Sequence, residues 1–301
     1  MTAARLSLGP LLFNWSAEKR RDFYFRIADE AAVESVFLGE VVCAKRTPFF
    51  APYLPEVVER LRGAGKEIVF STLTLPLDEA DRQAIRDLAS CDYLVEANDL
   101  AAVRHFAGSP FAVGPLVNVY NEDTLAYLAR LGAVRVCLPP ELPGSAIAAL
   151  AATGVAAIEV QVFGRQPLAI SARCYHARAQ GLHRDGCRYV CDRDADGMAV
   201  RTLEGEPFLA VNGLQTLSHS YANLLGELEP LRTAGVGYFR LQPHDLDMVA
   251  VARCFRDVLD RRLEAAAGQA RLADLAGEIA FSNGFYYGRE GAVWVPAGAS
   301  A

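Results

Sequence analysis

The sequence predicts an α/β fold, a (β/α)8 TIM-barrel-like domain with a cysteine-bearing insertion after strand seven. Three observations lead to this prediction. Short β-branched runs alternate with longer amphipathic runs, which indicates parallel strands joined by right-handed crossovers. Eight such strands can be traced, and the length of 301 residues suits one barrel, since barrels commonly need about 250. A doubly wound open sheet is the alternative.

The individual elements follow from local periodicity. Apolar runs such as VESVFLG and AIEVQVF are typical of buried strands, and apolar residues at three- and four-residue spacing indicate helices. The predicted strands are 5–9, 33–39, 67–73, 92–97, 111–114, 134–138, 157–163 and 238–242. The predicted helices are 17–31, 55–64, 78–88, 122–131, 143–152 and 249–266.

One interval breaks the alternation, between the seventh and eighth strands. Residues 164–237 hold a turn-rich stretch at 192–197 and two further predicted strands at 198–203 and 207–212. We interpret this interval as an insertion within a single barrel-like domain that spans residues 1–301. In barrels the chemistry lies on the loops that follow the strands. The insertion therefore becomes the first place to look for a functional site.

Composition limits the class of protein. The hydrophobic fraction of 52% allows a large core, and a net charge of −6 disfavours a broad nucleic-acid surface. No secretory signal is visible, and no apolar run approaches the roughly 20 residues that span a bilayer. We therefore expect a cytoplasmic protein without a transmembrane segment. In that reducing setting, its seven cysteines favour metal or redox chemistry over disulfides.

Four of the seven cysteines have a distinctive placement. Cys43 follows the second predicted strand, and Cys174, Cys187 and Cys191 follow the seventh, with the pattern C-x12-C-x3-C. All four are expected on one rim of the barrel, where they would suffice for one metal centre. The other three cysteines have apolar neighbours and are expected in the core; they are Cys91, Cys137 and Cys254.

The type of centre is less clear from spacing alone. Structural zinc sites favour paired C-x2–4-C knuckles, whereas only Cys187 and Cys191 are close here, and this openness suits an iron–sulfur cluster. Scattered thiols remain the alternative, as do His176 and His183 as ligands. Basic residues that could offset the charge of a cluster flank the thiols; they are Lys45, Arg46, Arg173, Arg188 and Arg193.

Polar residues at other strand ends are weaker candidates. Glu40 precedes Cys43, Glu96 ends the fourth strand, and Asn118 follows the fifth. Each has an ordinary rim residue as its alternative interpretation. The chain contains no glycine-rich nucleotide fingerprint, no P-loop, no zinc-protease motif and no nucleophile elbow. Catalytic residues therefore cannot be assigned from sequence.

Several longer runs carry a resemblance to a known family. They are FLGEVVCAKR at 37–46, STLTL at 71–75, LVEANDL at 94–100, VNVYN at 117–121, FGRQPLAISARC at 163–174 and FLAVNGLQTLS at 208–218. With these runs the chain resembles the collagenase-like peptidase (U-type) family from about residue 8 to 288. Within it, the chain resembles the iron–sulfur members that act in oxygen-independent ubiquinone biosynthesis.

This resemblance implies a [4Fe-4S] cluster on Cys43, Cys174, Cys187 and Cys191. It implies a heterodimer with a UbiU-like protein, a UbiT-like lipid carrier, a quinone precursor as substrate, and prephenate as the source of the hydroxyl group. Glu40, Lys45, Arg46, Glu96, Asn118 and Arg173 are the candidates for contacts around the substrate or cluster. Alternatives are a subunit of an RNA hydroxylase from the wider family, or an electron-relay or structural partner.

The chain departs from the family pattern in two places. The interval between Cys174 and Cys187 is shorter than expected, and Ser282 stands where relatives have a cysteine, so that position supplies no ligand here. Peptidase activity is not expected, because no serine or cysteine nucleophile has a matching base and the best-placed cysteines are the proposed ligands.

Overall fold

Eight parallel strands form the centre of the computed structural model, which describes residues 4–296. The strands of this part of the chain are β1 Arg5–Leu8, β2 Ser35–Gly39, β3 Glu67–Ser71, β4 Leu94–Ala97, β5 Phe111–Val113, β6 Ala133–Cys137, β7 Ala157–Ile170, β8 Met198–Arg201, β9 Pro207–Asn212, β10 Gln215–Asn223, β11 Tyr238–Leu241 and β12 Phe281–Ser282.

The eight strands close into a ring. Strands β1 to β7 pair in sequence, all in parallel, and β11 pairs in parallel with both β1 and β7. Arg5 faces Tyr238 in the β1–β11 register, and Tyr238 faces Glu159 in the β11–β7 register. The predicted (β/α)8 fold is therefore confirmed, and the open-sheet alternative is wrong because neither end of the parallel sheet is free.

Helices surround the ring. In the described part of the chain they are α1 Ala17–Glu30, α2 Thr47–Phe50, α3 Leu54–Gly63, α4 Glu79–Leu88, α5 Leu100–Phe106, α6 Glu122–Leu131, α7 Gly144–Ala152, α8 Tyr175–Ala179, α9 Leu228–Thr233, α10 Met248–Leu259 and α11 Ala265–Ala276. Short polar side chains cap several of them at the N-terminus. The side chains of Ser16, Asp78 and Asn121 each accept a hydrogen bond from the backbone N–H of the residue three positions later. No helix within residues 4–296 is long and apolar enough to cross a membrane.

The last predicted helix, 249–266, is wrong in its extent. Helix α10 ends at Leu259, and a separate helix, α11, begins at Ala265. Arg261, between them, has a left-handed backbone with φ of 58°. The break contains neither glycine nor proline, so the local sequence gives no stop signal. Helices α5 and α9 and strand β10 were not predicted, because their apolar patterns are short.

The segment after the seventh barrel strand extends the sheet. Strand β7 continues past the barrel to Ile170 and pairs antiparallel with β10, and β9 and β8 follow outward. The cysteine-bearing segment 171–197 connects β7 to β8. Helix α9 then leads to β11, the eighth strand of the ring. The division into one domain with an insertion over 164–237 stays a prediction.

The barrel interior contains a buried charged cluster as well as apolar side chains. Arg240 Nη2 lies 2.6 Å from Glu96 Oε1 and 2.7 Å from Glu159 Oε2, and all three side chains are almost fully buried. Ser7 and Ser71 donate hydrogen bonds to Glu159 and Glu96, respectively. Because each buried charge has a partner of opposite sign, this layer of the barrel can exclude water without leaving an unpaired charge.

Candidate metal centre

Four cysteines line one pocket at the rim of the barrel. Cys43, Cys174, Cys187 and Cys191 surround about 360 Å³ of empty space, part of which is open to solvent. We call it the four-cysteine pocket. Its other walls include Lys45, Arg46, Arg184, Tyr189, Val190, Gly213 and Leu214. Residues far apart in sequence therefore meet at one place.

The loop after β2 supplies Cys43. The Oε1 atom of Glu40 accepts hydrogen bonds from the backbone N–H groups of Val42 and Cys43, both at 3.1 Å. Glu40 itself lies between two buried arginines, with Oε2 3.8 Å from Arg20 and Oε1 3.8 Å from Arg46. The carboxylate thus holds the loop that presents Cys43 and does not line the pocket.

Cys174 stands at the start of the short helix α8. Its Sγ accepts a hydrogen bond of 3.4 Å from the backbone N–H of Ala177, as a helix-capping side chain does. The side chain is 8% exposed. The cap fixes the sulfur against the first turn of the helix, on the side of the pocket.

Cys187 and Cys191 are separated by a turn with an unusual backbone. Arg188 and Tyr189 both have left-handed φ values, 49° and 55°. This conformation is uncommon for residues other than glycine. It directs the chain back, so that both sulfurs face the same pocket. The Tyr189 ring packs edge-to-face on Phe49, with ring centres 4.7 Å apart.

Two asparagines hold Cys191 on either side. Asn14 Nδ2, from the loop after β1, donates to Cys191 Sγ at 3.4 Å. Asn212 Nδ2, at the end of β9, donates to the carbonyl oxygens of Cys191 and Asp194 at 3.1 and 3.0 Å. Sequence reasoning missed both residues, because an asparagine in a loop carries no pattern until its neighbours in space are known.

The thiols lie in an apolar environment. Cys174 belongs to a small buried cluster, separate from the main core, to which Cys43 and Cys187 add partly buried atoms. Burial raises the pKa of Cys43, although the charge of Arg46 opposes it, and burial likewise raises the pKa of Cys174. Without a bound cation, both thiols therefore favour the protonated form, and binding a metal would release their protons.

A buried cation forms part of the wall. Arg46 is 3% exposed; it donates to the Leu12 carbonyl at 3.0 Å and to Asn212 Oδ1 at 2.7 Å, while its Nε has no partner among the described residues. Burial acts to lower the pKa of Arg46, but the charge of Glu40 and the contacts with Cys191 and Cys43 outweigh it, and the pKa rises. Arg46 therefore stays charged beside the sulfurs.

The sulfurs surround the pocket without meeting at one point. Throughout residues 4–296, no three His, Cys, Asp or Glu side chains are close enough to hold a single metal ion. All seven cysteines are free. The remaining three lie elsewhere: Cys137 and Cys254 are buried, burial raises their pKa values, and Cys91 packs at the edge of the main core.

The other predicted site residues separate into two groups. Lys45 and Arg46 line the four-cysteine pocket. Glu96 lies inside the barrel with Arg240, Asn118 is an exposed residue with a left-handed φ of 63°, and Arg173 lines a neighbouring cavity. Arg188 and Arg193, also expected near the thiols, are exposed and do not line the pocket, whereas Arg184, which was not predicted, does.

Neither histidine of the cysteine segment lines the four-cysteine pocket. His176 is fully buried, with Nε2 2.9 Å from Asp194 Oδ2. His183 is exposed, and its Nδ1 accepts a hydrogen bond of 3.3 Å from the backbone N–H of Asp185. In this arrangement the pocket offers four sulfur donors and no imidazole.

A buried polar network ties the segment that follows Cys191 to the barrel. Asp196 accepts hydrogen bonds from Tyr221 Oη and Arg165 Nη2, each at 2.8 Å, and lies 2.5 Å from His244 Nδ1. The backbone N–H of Arg165 donates to His244 Nε2 at 2.9 Å, so Nδ1 carries the hydrogen that faces Asp196. No sequence motif marks this network, because its members come from four separate segments.

Comparison with known proteins gives one family and several distant structural likenesses. The model of peptidase family U32 matches residues 16–295. Dihydropteroate synthase from Thermus thermophilus is 15% identical, with 86% of this chain and 93% of that chain covered and a TM-score of 0.43. A chain of the tryptophan synthase complex from Pyrococcus furiosus is 12% identical, with 92% and 99% covered and a TM-score of 0.40.

Proposed function

Because the chain belongs to peptidase family U32 and gathers four thiols in one pocket, we propose that it is an iron–sulfur protein. Its [4Fe-4S] cluster would be held by Cys43, Cys174, Cys187 and Cys191. The convergence of these four cysteines from two distant segments is the observation that supports the proposal most strongly. A cluster of this kind, when bound, accepts and gives up single electrons.

The donor set suits such a cluster. Four sulfurs spread around a pocket match a cluster whose iron atoms occupy separate corners, whereas one zinc ion needs its ligands around a single point. The apolar packing around Cys174 limits access of water. Arg46 and Lys45, together with Arg184, supply positive charge against the negative charge of four thiolates and a cluster.

The finer proposal is that the chain is a UbiV-type subunit. It would pair with a UbiU-like protein and a UbiT-like lipid carrier in oxygen-independent hydroxylation of a quinone precursor, with prephenate as the source of the hydroxyl group. The similar runs around the cysteines support this assignment, among them FLGEVVCAKR at 37–46. The role of the chain's own residues would be to hold the cluster, to balance its charge and to keep water from it.

The cluster is tested by anaerobic purification followed by counts of iron and sulfide. Wild type is expected to hold about four of each per chain. Replacing any one of Cys43, Cys174, Cys187 and Cys191 by alanine is expected to remove most of both. Cys91→Ala is the matched control, because Cys91 is a free cysteine that packs against the main core and does not line the pocket. Full iron in the four variants, or loss only in the control, would overturn the ligand assignment.

The hydroxylation is tested separately. The chain, its UbiU-like partner and a reductant are supplied anaerobically with a quinone precursor, and the hydroxylated product is measured by mass spectrometry. Product should depend on Cys174 and carry oxygen from labelled prephenate. A cluster-loaded protein that forms no product in the complete mixture would retain the iron–sulfur assignment and reject the hydroxylase assignment.

A further inference from the structure

A second cavity adjoins the four-cysteine pocket. It contains about 1020 Å³ of empty space, counting the part open to solvent, and its walls include Arg173, Arg178, Arg184, Cys174, His183 and Asp185. We call it the arginine cavity. Cys174 and Arg184 line both spaces, so whatever occupies the arginine cavity lies next to a proposed cluster ligand.

The positive charges of the arginine cavity are not neutralised within the protein. Among residues 4–296, no carboxylate oxygen lies within 4.0 Å of the guanidinium of Arg173, Arg178 or Arg184. Elsewhere arginines are commonly paired, as Arg60 is with Asp29 at 2.6 Å. The Asp185 carboxylate on the cavity wall approaches Lys45 Nζ at 3.7 Å and His183 Nδ1 at 3.3 Å instead.

One of these arginines also has an unsatisfied buried donor. Arg184 Nε is out of contact with water and has no hydrogen-bond partner in the described part of the chain. A buried donor without an acceptor costs free energy, although Nε itself is closed off from the cavity. Three guanidinium groups around one concave surface, in a chain whose net charge is −6, therefore indicate a local site for negative charge.

We propose that the arginine cavity binds a small organic anion that carries two or more carboxylate or phosphate groups. Guanidinium groups bind both by paired, charge-assisted hydrogen bonds. The wall of the cavity is concave, which favours a small free ligand over the flat acidic face of a protein. That this anion serves as a co-substrate beside the cluster rests on the proposed function, whereas its binding to the arginine cavity does not.

The test is calorimetric titration of the purified chain with succinate, citrate, pyrophosphate and, as a singly charged comparison, acetate. At least one multiply charged anion should bind, with acetate at least tenfold weaker. Arg173→Gln and Arg178→Gln should each weaken that binding about tenfold, because each removes charged hydrogen bonds. Arg104→Gln, which removes another exposed charge, from α5, should change it less than twofold.

Several outcomes would overturn the proposal. These are no binding by any of the anions, equal binding of acetate, or equal weakening by Arg104→Gln. Binding of an acidic protein such as flavodoxin that depends on Arg173 and Arg178, without binding of small anions, would assign the surface to a protein partner. Unchanged circular dichroism spectra exclude misfolding of the variants, both of which alter exposed side chains.

Iron and sulfide counts on the same samples keep the two proposals separate. Anion binding without a cluster would reject only the proposed function, since the cavity is formed by the protein alone. A cluster in a protein that binds no anion would reject only the arginine cavity as a ligand site.

Discussion

Lys45 Nζ donates a hydrogen bond of 2.9 Å to the main-chain carbonyl of Arg184. This contact joins two segments separated by most of the barrel, the loop that carries Cys43 and the loop that leads to Cys187. Both residues line the four-cysteine pocket. The relative position of the proposed ligands therefore depends on a side chain that is itself not a ligand.

Lys45→Met should loosen the loop that leads to Cys187. Loss of one hydrogen bond to a carbonyl costs about 1 kcal/mol, which corresponds to roughly fivefold more frequent local opening. Trypsin cleavage after Arg184 and Arg188, followed by mass spectrometry, should speed up accordingly. Lys19→Met, which removes an exposed pair with Asp245, is the control and should leave these cleavages unchanged. Equal rates in both variants would reject the bracing role of Lys45.

Gly213→Ala should disturb Arg46 and, through it, the pocket. Gly213 has φ of 67°, and an added Cβ would lie 2.3 Å from Arg46 Nη2. Gly205→Ala is the matched control, because Gly205 also has positive φ, at 91°, but an added Cβ there meets nothing within 4 Å. Both variants should lose about 1–2 kcal/mol from backbone strain.

Gly213→Ala should lose more than Gly205→Ala in chemical denaturation, since Arg46 must move. It should also bind less iron on anaerobic reconstitution. Identical behaviour of the two variants would mean that the contact with Arg46 has no energetic consequence.

Arg240→Met should destabilise the barrel by about 3–5 kcal/mol at neutral pH, because it leaves Glu96 and Glu159 buried without a cation. Burial opposes ionisation of Glu159, but Arg240 outweighs it and the pKa of that carboxyl is lowered in the wild type. Urea denaturation at several pH values measures the loss.

The pH dependence of this loss has a definite sign. The stabilisation by ionised Glu159 is present above the unfolded-state pKa and declines as the pH falls through the folded-state pKa. The difference between wild type and Arg240→Met should therefore shrink as the pH falls. Adding Glu96→Gln and Glu159→Gln to Arg240→Met should restore part of the stability at pH 7. A loss that stays constant with pH would contradict the charge-based account.

Asp196→Asn tests the network behind the cysteine segment. Burial opposes ionisation of Asp196, yet contacts with His244 and Arg165 lower its pKa from 3.8 to about 2. That shift corresponds to roughly 2 kcal/mol of stability above pH 4, which is lost as the pH falls toward 2. Asp196→Asn should lose this amount at pH 7 and only about a third of it at pH 2.5. Asp192→Asn, at an exposed position, should match wild type at both.

The sequence alone determined the barrel and singled out four cysteines as the candidate sulfur donors. Seven of the eight predicted barrel strands lie within two residues of the observed strands at both ends, because strand–helix alternation is a local signal. The exception is β7, which runs on to Ile170 because its outer half pairs with β10. That pairing depends on a distant segment and so has no local signal.

The tertiary structure alone decided what surrounds the sulfurs. Asn14 reaches Cys191 across 177 positions of sequence, and Lys45 reaches Arg184 across 139. Glu96, predicted on the rim, pairs with Arg240 inside the barrel, and Arg173, predicted beside the thiols, lines the adjoining cavity. Local sequence records periodicity and flanking charge, whereas a pocket is made by contacts between distant segments, which form only when the barrel closes.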